Sequence, residues 1–187
     1  MHSNRMTDKF DFNDGNGPVP AHQHSNGGGW VAETADVADT VYVWPEAMVY
    51  SHAWIYGDAR IYGDAKVFGF ARVSGNVLVS GNAKVLDDAR VSGNAVVLDD
   101  AKVYGDAEVS GNVLVSGNAV VYGDAKVSGN AVVLDDAKVY GDAEVSGNAV
   151  VLGDAKVYGD AKVYGDALVS GNVRISGNAE IFDIIGI

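Results

Sequence analysis

Apolar and polar residues follow a fixed period of six along most of this chain. From Val31 to Gly186 the sequence consists of 26 consecutive six-residue units without an insertion or a deletion. The first residue of every unit is Val or Ile, and the fifth is Ala in all but five units. These two apolar positions lie two residues apart across each unit junction, as in Ala59-Arg60-Ile61. Such alternation predicts a short β-strand in which Ala and Ile face inward and Arg faces outward.

The third and fourth positions of the unit predict a corner after each strand. They are Gly-Asp, Gly-Asn or Asp-Asp in most units, and these residue types favour turns. A helical repeat is excluded, because Gly and Asn recurring every six residues would cost too much helix propensity. Each unit is therefore predicted to form one strand and one corner, and such strands must stack on one another to bury their inward side chains.

A typical unit, Val103-Tyr104-Gly105-Asp106-Ala107-Glu108, resembles the hexapeptide-repeat (isoleucine-patch) family of left-handed parallel β-helices. The resemblance covers 156 of the 187 residues. It implies a left-handed coil with three units per turn, wound into a triangular prism. We therefore predict an all-β fold, a single-stranded left-handed parallel β-helix of about eight to nine coils. At ~4.8 Å between stacked strands the prism would be roughly 42 Å long.

The first 30 residues lack the six-residue pattern. Two stretches rich in Gly and Asn, 13–18 and 25–29, indicate loops. We predict a loop-rich N-terminal arm or cap over residues 1–30 and a hexapeptide-repeat β-helix over residues 31–187. A solenoid needs a cap because the unpaired strand groups at an open end invite aggregation.

Composition narrows the classes of partner and location. The chain has a formal net charge of −12 and no cysteine, which excludes disulfides and thiolate chemistry. No apolar run resembles a signal peptide or a membrane span, so we expect a cytoplasmic location and no membrane partner. The acidic charge argues against nucleic acid as a partner, because nucleic-acid binding depends on neutralising phosphates.

Histidines and aromatic residues concentrate where the arm meets the array. A site for a ligand or a partner protein would be formed there by His22, His24, Trp30, Trp44, His52 and Trp54. The alternative is that the aromatic residues only hold the arm against the first coils. His22 and His24 are one residue apart and could ligate a metal together, but no further ligand lies near them in the sequence. We therefore expect neither a metal nor a cofactor.

With three units per coil, every eighteenth residue stacks, and the outward positions divide among three faces. The charged face carries Arg72, Arg90, Glu108, Lys126, Glu144 and Lys162, whose signs mostly alternate. The tyrosine face carries Tyr104, Tyr122, Tyr140 and Tyr158 beside lysines. Tyrosines and lysines in columns could grip nucleic acid, but stacked tyrosines also stabilise a sheet without any ligand.

The remaining face, here called the apolar face, has no outward charge across six successive coils. Its apolar side chains are Leu78, Val96, Leu98, Leu114, Val132, Leu134, Val150, Leu152 and Leu168, with Ser at the other outward positions. A charge-free strip of this length predicts an interface. We expect a homodimer built on the apolar face, with a trimer as the alternative.

Two polar columns occupy the corners. They are Asn76, Asn94, Asn112, Asn130 and Asn148 in one column and Asp88, Asp106, Asp124, Asp142 and Asp160 in the other. Asn and Asp tolerate the left-handed backbone that tight corners require. Stacked aspartates could also recruit calcium or present a charge pattern like that of nucleic acid.

The resemblance bears on catalysis as well. Many hexapeptide-repeat proteins are acyltransferases, whose catalytic histidine usually lies beside a loop that interrupts the coils. This chain has no interrupting loop and no histidine after His52. The segment Val41-Tyr42-Val43-Trp44-Pro45-Glu46-Ala47-Met48-Val49 resembles a stretch of gamma-class carbonic anhydrases, but those enzymes need three zinc-binding histidines.

We therefore predict a non-catalytic β-solenoid that acts through its surfaces, as a self-associating scaffold or a protein-binding module. Unbroken arrays of this type look like those of some bacterial and phage proteins, so a phage-type structural protein or an inhibitor of a host protein is included in this hypothesis. The alternatives are an acyltransferase-like enzyme with its site at the aromatic N-terminal end, and an acidic mimic of nucleic acid.

Overall fold

The computed structural model describes residues 8–183. Residues 1–7, which begin the predicted arm, and residues 184–187, which end the predicted array, lie outside it. All regular secondary structure in the described range is β, which confirms the predicted all-β class. No helix between residues 8 and 183 is long and apolar enough to cross a membrane.

The strands are short, mostly two to four residues. In chain order they are β1 Asp8–Phe10, β2 Val19–Gln23, β3 Trp30–Ala32, β4 Asp36–Val37, β5 Tyr42–Val43, β6 Met48–Val49, β7 Trp54–Ile55, β8 Arg60–Ile61, β9 Lys66–Val67, β10 Arg72–Gly75, β11 Leu78–Val79, β12 Lys84–Val85, β13 Arg90–Gly93 and β14 Val96–Val97. They continue with β15 Lys102–Val103, β16 Glu108–Val109, β17 Leu114–Val115, β18 Val120–Gly123, β19 Lys126–Val127, β20 Val132–Val133, β21 Lys138–Gly141, β22 Glu144–Val145, β23 Val150–Val151, β24 Lys156–Tyr158, β25 Lys162–Val163, β26 Leu168–Val169, β27 Arg174–Ile175 and β28 Glu180–Ile181.

From β3 onward every strand pairs in parallel with the strand three positions later, which makes one coil of three strands. The pairing register advances by eighteen residues, so Val79 lies beside Val97 in one sheet and Val91 beside Val109 in another. The result is three parallel sheets, wound as a left-handed triangular prism of about eight turns. The fold, the three units per coil and the parallel stacking are confirmed.

The core consists of the first and fifth positions of the units. From Val41 to Val169 these residues are fully buried in one continuous cluster. Burying one such Val contributes roughly 1.5 kcal/mol or more, and the same contribution recurs in each unit from Val43 to Val169. Toward the C-terminal end Val173, Ala179 and Ile181 are only partly buried.

Close stacking at the corners explains the glycines of the unit. Gly75 has φ of 87°, and a Cβ there would lie 2.6 Å from the carbonyl oxygen of Gly93 on the next coil. Where the third position is not Gly, Asp87, Asp99 and Asp135 adopt φ of 59°, a left-handed conformation that Asp tolerates better than most residues. The asparagine column is hydrogen-bonded along its length, with each Nδ2 donating to the Oδ1 of the next residue at 2.9–3.0 Å from Asn76 to Asn148.

The arm forms more structure than the sequence indicated. Strands β1 and β2 pair antiparallel, and β2 pairs antiparallel with β3, so they extend one of the three sheets beyond the first coil. The loop after β2 extends another sheet, because Asn26 O accepts from Val43 N and Val43 O accepts from Gly29 N, both at 3.0 Å. The arm therefore covers the N-terminal edges of two sheets. The loop-rich prediction missed β1 and β2 because Gly, Asn and Pro dominate the local composition.

Candidate functional site

The apolar face is the outer surface of the sheet formed by β5, β8, β11, β14, β17, β20, β23 and β26. Its leading column, which precedes the buried Val of each strand, is Leu78, Val96, Leu114, Val132, Val150 and Leu168. Its trailing column, two residues later, is Ser80, Leu98, Ser116, Leu134, Leu152 and Ser170. All twelve side chains are half-buried, because each packs against its neighbours above and below. No charged side chain stands in either column.

Two corners border the apolar face. The amide corner carries Asn76, Asn94, Asn112, Asn130, Asn148 and then Asp166, which accepts the last hydrogen bond of the column at 2.8 Å. The mixed corner, on the other side, carries Asn82, Asp100, Asn118, Asp136, Asp154 and Asn172. Within the mixed corner Asn82 donates to Asp100 at 3.0 Å and Asn118 donates to Asp136 at 3.1 Å. Polar side chains thus frame the apolar strip along its whole length.

One serine of the trailing column is turned toward the mixed corner. The hydroxyl of Ser116 donates to Oδ2 of Asp99, and the backbone N–H of Gly117 donates to the same oxygen at 3.0 Å. The hydroxyl of Ser116 and then the Gly117 N–H hold the pKa of Asp99 below its ordinary value, against a smaller opposing effect of burial. The Ser116 hydroxyl is therefore satisfied within its own chain.

Aromatic residues extend the apolar face toward the N-terminus. Tyr42 and Trp44 on the first coil and Tyr62 on the second pack together, with ring centroids 5.3–6.2 Å apart. Trp44 is still 40% exposed. Arg60 shares this end of the face with Tyr62, so the charge-free strip begins at Leu78.

The charged face, formed by β10, β13, β16, β19, β22 and β25, is organised differently. Its register places Arg90 beside Glu108, Glu108 beside Lys126 and Lys126 beside Glu144. Nη1 of Arg90 lies 2.9 Å from Oε1 of Glu108, and Nζ of Lys162 lies 4.0 Å from Oε2 of Glu144. Opposite charges stacked in this way stabilise the sheet that carries them.

The tyrosine face has a stacked ladder, as predicted. Tyr104, Tyr122, Tyr140 and Tyr158 stack with centroids 4.8–5.0 Å apart and planes within 10° of parallel. Burial, and then the neighbouring Tyr140 and Tyr104, raise the pKa of Tyr122. The two middle rings, Tyr122 and Tyr140, are covered on both faces by their neighbours. The ladder therefore leaves no space for a base to stack between its rings.

The six predicted ligand-site residues do not come together. Trp30 stacks on Phe10 at 4.4 Å on the sheet of the tyrosine face, and Trp44 lies on the apolar face. Trp54 lies on the sheet of the charged face, with the Arg72 guanidinium 5.2 Å above its ring. His52 stacks on Phe70 at the corner between the tyrosine and charged faces, with centroids 5.2 Å apart. The three tryptophans thus point away from the prism on three different sides.

The two arm histidines have separate environments. Nδ1 of His22 lies 2.6 Å from Oε1 of Glu33. Nδ1 of His24 contacts the Asn26 backbone at 3.2–3.3 Å, whereas its buried Nε2 has no hydrogen-bond partner. Among residues 8–183, no three His, Asp or Glu side chains are grouped closely enough to hold a metal ion. This applies to the exposed aspartates of the column Asp88 to Asp160 as well.

Sequence reasoning missed a second, smaller core under the arm. Phe12 and Ala21 are buried with Ala32 and Tyr50, and the Phe12 ring stacks on Tyr50 at 4.8 Å. Burial, with a smaller effect of Asp14, raises the pKa of Tyr50 to about 12. The available signal was the alternation of Phe and Asp in Phe10-Asp11-Phe12, which is typical of an extended segment with one buried side.

Parts of the sequence match a known repeat. A sequence profile of the YdcK β-solenoid repeat matches residues 71–86, 107–123 and 161–177, together fewer than a third of the chain. No curated protein sequence matches the chain.

The solved structures that are similar to the chain include the following two. One is LpxA from Acinetobacter baumannii, with 12% identity, a TM-score of 0.43, and coverage of 79% of this chain and 71% of that chain. The other is a UDP-N-acetylglucosamine acyltransferase, with 10% identity, a TM-score of 0.47 and the same two coverages. At these values neither similarity bears on what the chain does. On its own register and core, the chain has the fold of a left-handed parallel β-helix built from six-residue units, and parts of it match the YdcK β-solenoid repeat.

Proposed function

We propose that this protein is a non-catalytic scaffold or protein-binding module whose apolar face joins two copies into a homodimer. The observation that carries the proposal is the charge-free strip from Leu78 to Ser170. Single exposed apolar residues are ordinary on a protein surface. Twelve outward positions on one face without a charge are unusual, particularly in a chain of net charge −12 whose other two faces carry a charge on nearly every coil.

The area of the face suits a modest interface. Six coils at ~4.8 Å and roughly 13 Å of strand give roughly 370 Å² in projection, within the range of the largest apolar patches on monomers. If the first two coils, which carry Tyr42, Trp44 and Tyr62, are included, the projected area rises to roughly 500 Å² per copy. Two copies would then bury about 1,000 Å², the lower limit for a biological interface. A two-fold axis is the natural arrangement, because it pairs the face with itself.

Light scattering on the purified protein tests the dimer directly. We expect a dimer at micromolar concentration, and a monomer there would contradict the proposal. The double variant Val132→Lys/Val150→Glu should dissociate the dimer while the β-sheet circular dichroism is retained, since both side chains point outward. The matched control is Ser128→Lys/Ser146→Glu, which places the same stacked charge pair on the charged face. If only the control dissociates the dimer, the interface lies on the charged face instead.

The non-catalytic part of the proposal has its own test. The hexapeptide array from Val31 is uninterrupted. The described histidines have different partners, with His22 beside Glu33 and His52 stacked on Phe70. An acyltransferase would bind an acyl carrier, so we expect coenzyme A to leave the thermal unfolding midpoint unchanged. A saturable rise of the midpoint that is lost in His52→Ala would favour the acyltransferase-like alternative.

A further inference from the structure

The two columns of the apolar face are matched in size. Wherever the leading residue is Leu, the trailing residue of the same coil is Ser, as in Leu78 and Ser80. Wherever the leading residue is Val, the trailing residue is Leu, as in Val132 and Leu134. This rule holds in all six coils, so each coil presents one Leu, beside the small Ser in the trailing column or beside the smaller Val in the leading column.

From this pattern, and resting on the proposed dimer, we infer that the two prisms lie parallel, with the two-fold axis along the prism axis. Two arrangements bring the apolar face against itself. An axis along the prism keeps each coil level and reverses the strand direction, so the leading column faces the partner's trailing column at the same level. An axis along the strands inverts the prism, so each column faces itself in reverse order.

The parallel arrangement pairs every side chain with one of complementary size. At each Leu-and-Ser level, Leu faces Ser twice, and at each Val-and-Leu level, Val faces Leu twice. Inversion about the centre of the strip would place Leu78 against Leu168 and Ser80 against Ser170, which crowds one column and leaves a gap in the other. Both overpacking and cavities destabilise a packed surface, so the size rule favours the parallel dimer.

The bordering corners favour the same arrangement. In the parallel dimer the amide corner of one copy lies alongside the mixed corner of the other, level by level. Three aspartates of one copy then lie beside asparagines of the other copy at the same level: Asp100 beside Asn94, Asp136 beside Asn130, and Asp154 beside Asn148. Each of these asparagines uses one N–H in its column, which leaves a second N–H free to face an acceptor. In the inverted dimer Asp100 would lie on the side of Asp154, and like charges repel.

The N-terminal coils extend this interface. In the parallel dimer Tyr42 and Trp44 of one copy meet the same coil of the other, so the exposed Trp44 ring becomes covered. In the inverted dimer, centred on the six-coil strip, this coil lies beyond every described coil of the partner, so no described residue covers Trp44. Aromatic residues at the end of an apolar strip are typical of buried interfaces.

Distances between spin labels distinguish the arrangements, and the absence of native cysteine makes single labelling clean. Glu46→Cys and Asn172→Cys place a label on the mixed corner at the first and the eighth coil, both at exposed positions. We expect the distance between the two labels of a dimer, measured by dipolar electron resonance, to be the same for both variants. In the parallel dimer each label faces the same coil of the partner, wherever along the prism it is placed. The inverted dimer predicts separations of nine and five coils along the axis, roughly 43 Å and 24 Å. The parallel arrangement would be overturned if the two distances differ and Val132→Lys/Val150→Glu still dissociates the dimer, because the interface would then be the apolar face in the inverted arrangement.

A size exchange within one coil provides a second readout. Leu78→Ser leaves Ser facing Ser, and Ser80→Leu leaves Leu facing Leu, so each should weaken the dimer about tenfold. The double variant Leu78→Ser/Ser80→Leu restores Leu facing Ser and should recover the affinity of the parent. If the double variant instead loses as much dimer affinity as the two single variants together, the result would contradict the parallel dimer. A monomer in light scattering would instead remove the proposed dimer itself, so the two failures are distinct.

Discussion

The charged face and the apolar face lie over the same type of Val-and-Ala core and differ mainly in their outward columns. Val127 beneath the charged face and Val133 beneath the apolar face are both fully buried, and both sheets keep the eighteen-residue register. On the charged face opposite charges stack, as in Arg90 and Glu108. On the apolar face no charge appears across six coils. The difference shows that folding constrains the inward positions, whereas the outward positions are free to vary.

This freedom makes the outward columns the informative part of the surface. Alternating charges on one face stabilise the prism and keep that face in water, as is expected for a surface with no partner. The apolar strip adds no comparable benefit to an isolated prism, because its side chains stay half-exposed. The difference between the two columns supports the proposal that the charged face stays in solvent and that the apolar face is the dimer interface.

The largest expected effect is a loss of stability that does not depend on the face. Val127→Asp and Val133→Asp each place an unpaired carboxylate in the same type of core, so each should cost several kcal/mol of unfolding free energy. Urea unfolding followed by circular dichroism measures this, best in the Val132→Lys/Val150→Glu background, where association does not contribute. A much larger loss under one face than under the other would show that the two sheets do not share an equivalent core.

A smaller effect is expected from reversing one charge on the charged face. Lys126→Glu would put a carboxylate between those of Glu108 and Glu144 in the register, and so replace attraction between stacked neighbours by repulsion. We expect a loss of about 1 kcal/mol after solvent screening, which added salt should reduce. The control Lys126→Gln removes the attraction without adding repulsion, so it should cost less. An equal loss in both variants would mean that stacking of charge does not stabilise this face.

The smallest expected effect is a change in the pH dependence of unfolding, caused by a variant at the border of the apolar face. Because the pKa of Asp99 is lowered in the folded protein by Ser116 and Gly117, its ionised form contributes stability above its ordinary pKa. That contribution is lost as the pH falls through the lower pKa of the folded state. Ser116→Ala should therefore make unfolding slightly less pH-dependent in acid. Ser80→Ala, at the equivalent position two coils away, is the matched control and should leave the pH dependence unchanged.

Much of the prism was predictable from individual positions. Val at position one, Ala at position five and Gly-Asp or Gly-Asn between them led to the strands, the corners and the three faces, and the structure places them accordingly. The tyrosine ladder and the grouping of the apolar columns also follow from the eighteen-residue spacing. The arm was described poorly, because β1 and β2 occur once and carry no repeated signal that could outweigh their Gly, Asn and Pro neighbours.

The sequence by itself determined the architecture, because one weak local preference is repeated 26 times in phase and every copy supports the same register. The sequence did not determine which residues outside the repeated pattern contact one another. His22, Trp30, Trp44 and Trp54 lie close together in the chain, yet the winding of the coil sends the tryptophans to three different faces. Only the tertiary structure decided that, and only it decided that Phe12 packs on Tyr50 and that Asn26 pairs with Val43. Such contacts depend on where the chain returns in space, which no local pattern encodes.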